Sequence, residues 1–239
     1  MVLFCRRSRT ISPWGRSGLR RLKGRPGVWL PLLGLALLSA GPSLGAEVTE
    51  APATLPDLMR AFAQSGAVRA SFQESRMLTV LVDPIETTGQ LYFLPPKRLA
   101  RVTRWPTPSR VIVDDRVVVL EDGLGRRELN LKKSPVGQSL IGGIVLLLGG
   151  DLEGLNRLYE TAYEAHGEAW TLTMLPINAN LRSMIREIRA EGRGRDITRL
   201  TTVETNGDIT TTQLTDIETD VSVVEVERAA FPSTRVPRK

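Results

Sequence analysis

From Val68 onward the chain is cut into short segments by turn residues, at intervals that leave little room for helices. Val68, Ala70 and Phe72 alternate with Arg69, Ser71 and Gln73, the period of a strand with one face covered. Gly89 to Leu94, Arg98 to Trp105, Arg110 to Val113, Arg116 to Glu121 and Gly125 to Leu131 follow, and between them lie Pro95-Pro96, Pro106 to Pro108, Asp114-Asp115 and Asp122-Gly123. Gly supplies positive φ, Pro fixes φ, and Asp bonds to its own backbone, so these are turns of an antiparallel meander. Strand patterns resume at Tyr159 to Ala165, Trp170 to Leu175, Ser183 to Ala190, Ile197 to Glu204 and Asp208 to Asp216, with Asn206-Gly207 as a hairpin signal.

Helical patterns are few. Leu55, Leu58, Met59 and Phe62 give an amphipathic helix over Pro56 to Gln64. Leu140 to Leu148 is apolar on all sides and ends at Gly149-Gly150, after which Asp151 starts a helical segment over Leu152 to Leu158. That run covers less than half a bilayer core at about 1.5 Å per residue. Either it packs on the sheet as a core helix, or, loosened by Gly142 and Gly143, it covers an apolar cavity as a lid. The predicted fold is mainly β (α+β): a strongly curved antiparallel sheet or incomplete β-barrel of about ten strands, with helices over a hydrophobic cavity.

Before this pattern stands a basic leader with an apolar run, Trp29 to Leu38, closing on Ser43-Leu44-Gly45-Ala46. A positive n-region, a short apolar core and small residues describe a cleavable secretory signal over residues 1–45, cut after Gly45 or Ala46; a retained signal anchor is the alternative. Eight of the 32 Lys and Arg residues lie in it, so 24 remain against 26 Asp and Glu, and the overall charge of +6 becomes about −2. Basicity therefore does not point to nucleic acid. The single cysteine, Cys5, is also in the leader, so the exported chain is expected to fold without disulfides. Residues 46–54 read as a linker, 55–216 as one domain, and 217–239 as a final strand, with Val221 to Val226 alternating, followed by a basic tail.

No catalytic constellation is present. The one histidine, His166, sits beside Gly167 in a turn, and no mature cysteine or carboxylate cluster offers metal ligands. Neither a catalytic residue, a metal nor a cofactor is predicted. The arginines between Arg182 and Arg199 are interspersed with Glu187, Glu191 and Asp196 and read as a solvated sheet face. Phe72, Glu74 and Arg76 share strand parity, which puts two charges on the face of a buried aromatic. They form an ion pair at the sheet rim, or they grip a ligand's head group.

Ala70 to Arg76, Gly89 to Phe93, Pro96, Leu99 to Arg101 and Val111 to Val119, then Gly149-Gly150-Asp151-Leu152, Trp170-Thr171-Leu172 leading to Pro176, and Asn206-Gly207-Asp208, come in an order and spacing that resembles the LolA-like outer-membrane lipoprotein carriers. The resemblance runs from about Leu55 to Asp216. It implies an incomplete barrel whose helices lid a cavity that shields acyl chains in the periplasm, with an inner-membrane donor and an outer-membrane acceptor as partners, and a monomer. One feature departs from it: the arginine that latches the lid in better-known carriers is replaced by Pro95, which has no side-chain donor. The chain thus resembles a divergent branch, whose cargo is lipoprotein or a related acyl lipid or glycolipid.

The expected cavity residues are Phe72, Leu91, Phe93, Leu99, Val111, Val113, Leu140, Ile144 and Leu147, with Glu74 and Arg76 as polar contacts. Two other readings stand beside the carrier. A structural or protein-binding envelope protein would have a packed, ligand-free sheet, and an enzyme acting on envelope lipids or glycans would need two carboxylates converging in the hollow.

Overall fold

The computed structural model describes residues 50–114, 117–130 and 135–231, with side chains for all of these except 135–140. The leader, the extreme C-terminal tail and the side chain of Leu140 lie outside the described residues. Strands β1 (Ala67–Met77), β2 (Ile85–Leu94), β3 (Arg98–Trp105), β4 (Ser109–Asp114), β5 (Val117–Asp122) and β6 (Gly125–Asn130) form one meander. A second comprises β7 (Tyr159–His166), β8 (Ala169–Pro176), β9 (Ile185–Arg193), β10 (Asp196–Glu204) and β11 (Ile209–Val221). The described helices are α1 (Leu55–Gln64), α2 (Pro135–Leu148), α3 (Leu152–Leu158), the single turn α4 (Ala179–Arg182) and α5 (Val223–Ala230).

All strands join one antiparallel sheet in the order β6-β5-β4-β3-β2-β1-β11-β10-β9-β8-β7. Among the described residues it contains 11 strands, in line with the expected number of about ten, and it is curved and unclosed, with β6 and β7 at its ends. The seam is the pairing of β1 with β11, in which Phe72 faces Leu214 and Met77 faces Ile209. Because the chain runs outward from β1 to β6 and inward from β7 to β11, α2 and α3 must cross between the sheet's two free edges.

β11 runs past Asp216, where the sequence suggests a stop. The strand absorbs Asp216 (φ 49) and Asp220 (φ 57) as irregularities, and the register against β1 slips between Ser71 and Arg69 and again between Arg69 and Ala67. Asp tolerates the left-handed conformation such bulges need. The Asp220 carboxylate accepts the Gly66 N–H at 2.8 Å, tying the turn before β1 to the far end of β11.

Helix ends follow their local chemistry. Thr54 caps α1 by accepting the Asp57 N–H, and Asp151 caps α3 by accepting the Gly154 N–H at 2.8 Å. α2 stops in a Schellman turn, in which Asp151 N–H reaches Leu146 O, Gly150 N–H reaches Leu147 O, and Gly150 takes φ 68. Val221 to Val226 is not a strand: after Val221 the chain turns into α5, which places Val226, Ala230 and the following Phe231 against Tyr92, Leu94 and Ala100. These sheet residues have the opposite parity to Leu91 and Phe93, so α5 covers the face away from α2.

The concave face is filled on one side only. Leu58, Met59 and Phe62 of α1, with Leu147 and Leu155, pack on Trp170, Leu172, Met174 and Ile188 of β8 and β9. α2 is held by a close approach: a Cβ at Gly143 would stand 2.4 Å from the Tyr159 hydroxyl, whereas one at Gly142 would meet open space. Gly143 is thus a packing contact rather than a source of looseness. Burial pushes the Tyr159 hydroxyl up to about 12.

Gly89 shows how tightly the sheet is drawn at β2. A Cβ there would lie 2.0 Å from the Val102 carbonyl and 2.8 Å from the Phe72 ring. Gly89→Ala is expected to lower stability by about 2 kcal/mol or more through overpacking, read as a lower urea midpoint at unchanged slope.

Candidate functional site

Strand parity carries Phe72, Glu74 and Arg76 to the concave face, and pairing brings their neighbours. Glu74 faces Thr87 on β2 and Thr212 on β11, and Arg76 faces Ile85 and Thr210. On the next strands Leu91 pairs with Arg101, Arg101 with Val111, and Leu99 with Val113. Ile141 and Ile144 of α2 close over these rows. Between them lies a cavity of about 430 Å³, completed by Ile185, Leu200, Thr202, Glu204, Thr210 and Thr212.

The cavity is polarised along the strands. Toward the turns that join β2 to β3 and β4 to β5 its wall is Leu91, Leu99, Val111, Val113, Ile141 and Ile144. Toward the opposite ends it carries Glu74, Arg76, Glu204 and three threonines, with Leu200 beside Thr212 and Ile185 beside Glu204 among them. Arg101 lies between the two, with its guanidinium 4.2 Å from the centre of the Phe72 ring.

Glu74 and Arg76 do not pair with each other. Arg101 donates to both Glu74 oxygens, at 2.6 and 2.8 Å, and the Thr212 hydroxyl donates to Glu74 at 2.9 Å. Arg76 instead meets Glu204 at 3.3 Å near solvent. The reason is the pleat: residues two apart on a strand point the same way but stand nearly 7 Å apart, whereas Arg101 reaches diagonally across β2 to the carboxylate. Burial pushes the Glu74 carboxyl up, but the Arg101 and threonine bonds outweigh it and hold the group below the ordinary glutamate range.

Of the expected cavity residues, Phe72, Leu91, Leu99, Val111, Val113 and Ile144 are on its wall, as are Glu74 and Arg76. Phe93 and Leu147 are not. Phe93 has the inward parity, but Val145 of α2 sits on it and, with Val113 and Val118, makes a solid floor. Leu147 turns to the other side of α2, into the core with α1 and α3. Arg101 was not expected, although it shares the parity of Leu99. Ile185, Leu200, Thr202, Glu204, Thr210 and Thr212 depend on which strands become neighbours, which no local pattern discloses. His166 ends β7 at an exposed position, and Arg189 and Arg199 pair with Glu187 and Glu191. Among the described residues no group of three or more His, Cys, Asp or Glu could hold a metal ion.

The site can grip a polar group at one end and exclude water at the other, and Glu74 holds these two parts together. Glu74→Gln preserves shape and removes charge, and is expected to cost about 2 kcal/mol at pH 7. A carboxyl held low stabilises the fold above its unfolded pKa and loses that contribution as pH falls through its folded value, so the gap between wild type and variant should close below about pH 4 in thermal melts.

No curated protein sequence matches this chain. Among solved structures, a LolA superfamily protein from Nitrosomonas europaea aligns at 8% identity and TM-score 0.42, over 72% of this chain and 96% of that one. LprF from Mycobacterium bovis aligns at 10% identity and TM-score 0.34, over 71% and 93%. In the MucA/MucB complex of Pseudomonas aeruginosa the match has 13% identity and TM-score 0.43, over 69% and 55%. The family model described as outer membrane lipoprotein carrier protein LolA-like matches residues 50–234, most of the sequence, and the chain belongs to that LolA-like family.

Proposed function

We propose that this protein is a non-enzymatic carrier that takes the acyl chains of lipoproteins, or of related lipids or glycolipids, into the hollow under α2. After loss of its leader it would move them through the periplasm from an inner-membrane donor to an outer-membrane acceptor. The observation that carries this reading is the unfilled space itself. A cavity of about 430 Å³ falls within the ~300–1,000 Å³ of small-molecule sites. A structural sheet would instead close the space with aromatic plugs. Here the one aromatic on the wall, Phe72, is covered by the Arg101 guanidinium, and the space stays open.

The wall explains the ligand class. Aliphatic side chains from β2, β3, β4 and α2 offer dispersion contacts and no hydrogen-bond partner, which suits methylenes and nothing polar. Burying an acyl chain gains about 25 cal/mol per Å² of apolar surface, so a loaded carrier unloads only to an acceptor that buries the chain comparably. At the polar end Glu74 and Glu204 offset Arg76 and Arg101 in charge, and Thr202, Thr210 and Thr212 add hydroxyls. That set suits a neutral or zwitterionic head group better than a bare anion. Two carboxylates are present, as an enzyme acting on envelope lipids would need, but Glu74 is tied to Arg101 and Glu204 to Arg76.

Protein purified from its own envelope without detergent is expected to show acyl lipid by native mass spectrometry, and emptied protein to bind a lipophilic dye. Ile144→Asp places a charge on the cavity roof and should weaken dye binding about tenfold or more while far-UV circular dichroism is unchanged. Lipid-free native protein together with absent dye binding would overturn the carrier.

A further inference from the structure

The exposed apolar side chains of this protein are not scattered. The β1–β2 turn bears Met77, Val80, Leu81, Val82 and Ile85, of which Val80 is 85% exposed and Val82 95%. Antiparallel pairing puts four more turns at the same end of the strands. Trp105 precedes the β3–β4 turn, and Leu124, 89% exposed, is the tip of the β5–β6 turn. Leu175, Ile177 and Met184 flank the β8–β9 connection, and Ile209 follows the β10–β11 turn. Eleven of the fourteen exposed large apolar side chains among the described residues therefore lie on one rim. The opposite rim turns through Pro95 to Lys97, Gly167-Glu168 and Gly194-Arg195.

The most prominent turn is held in place. The Asp208 carboxylate accepts both the Thr79 N–H, at 2.8 Å, and the Thr79 hydroxyl, at 3.1 Å. Its other oxygen accepts from the Asn206 amide, so the β1–β2 and β10–β11 turns are tied at their base. Leu81 N–H closes on Leu78 O. The apolar tip is thus projected into water by a polar clamp centred on the buried Asp208, although folding it back would bury apolar surface.

This rim also adjoins the polar end of the cavity. Arg76, on the cavity wall, faces Ile85 and Thr210, and the next pair is Met77 with Ile209. We propose that this rim is a membrane-docking edge, which inserts Val80, Leu81, Val82 and Leu124 into a lipid surface and brings the polar mouth of the cavity to the head groups. The choice of a lipid surface rests on the acyl-carrier reading, because the bilayer is where acyl cargo is held. The geometry favours it over a protein partner: side chains at the tips of separate turns are discontinuous points, which a fluid interface accepts without a matching relief, and Trp suits the interfacial layer.

The test uses the full chain with Cys5→Ser and one introduced cysteine carrying a polarity-sensitive fluorophore, at Val82→Cys on the rim or Glu168→Cys on the opposite side. Vesicles of phosphatidylethanolamine and phosphatidylglycerol should shift the label at 82 to the blue and leave that at 168 unchanged, a contrast that binding through the leader alone would not produce. Adding Val80→Ser and Leu81→Ser, both at an exposed tip, should raise the lipid needed for half the shift about tenfold. An unchanged label at 82, or equal shifts at both positions, overturns the docking edge. Dye binding to the cavity in vesicle-free solution reads the carrier separately: dye bound with no shift at 82 removes the docking edge and leaves the carrier, and a shift at 82 with no dye bound does the reverse.

Discussion

The structure depends on the pairing of its first strand with its last. β1 bonds to β2 on one side and β11 on the other, so it belongs to both meanders, and only this long-range ladder makes them one sheet. Its formation requires closing a loop of well over a hundred residues, but the entropic cost of closure grows slowly with length. Once made, it sets Glu74 between Thr87 and Thr212, puts Thr210 beside Arg76 and Leu214 beside Phe72, and so fixes one wall of the cavity. It also leaves β6 and β7 as the free edges, so the segment between them has to bridge the opening. The covering helix α2 is thus a consequence of the connectivity.

The two halves of the concave face show a division of labour. Against β8 and β9, α1 and α3 supply large side chains, and Trp170 meets Phe62 edge-on at 6.1 Å and donates to the Gly194 carbonyl. That side is solid. Against β2 to β4, α2 presents Ile141, Ile144 and Val145; Val145 packs on Phe93, Ile141 joins the edge of that cluster, and Ile141 and Ile144 line the cavity. Rigid packing of α2 through Leu147 and Gly143 holds the roof up over the part that is not packed. The polar cluster at Glu74 meets the same need, since its mutual hydrogen bonds let charges stand in a hollow without collapsing it.

Local pattern disclosed most of the strands, the apolar run of α2 and the caps around Asp151, because each depends on residues close in sequence. It misled at α5, where Val223, Val224 and Val226 carry β-branched residues in a strand-like order. The overlooked signal was Ser222-Val223-Val224-Glu225, the spacing of a capping box, although the Ser222 side chain makes no cap bond here. At the site, parity alone identified the inward residues of β1, and would have identified Arg101. It could not show that Glu74 bonds to Arg101 rather than Arg76, because that choice is set by register across three strands. Nor could it separate Phe93 from Leu91, since both point inward and only the position of α2 decides which is covered.

The unclosed edges have a mechanical meaning. In a closed barrel, strand number and shear together set the radius, and every ladder resists a change in it. A sheet that stops at β6 and β7 has no such hoop, and opening or tightening its curve asks only for small changes of twist spread over many strands. The β6 edge is also guarded against joining other sheets: it is exposed along its length and bears Arg126, Arg127 and Glu128, with Arg126 bonded back to Glu121. The curve of this sheet is therefore set by the twist of its ladders and by the helices packed on it, with no closing seam to fix it.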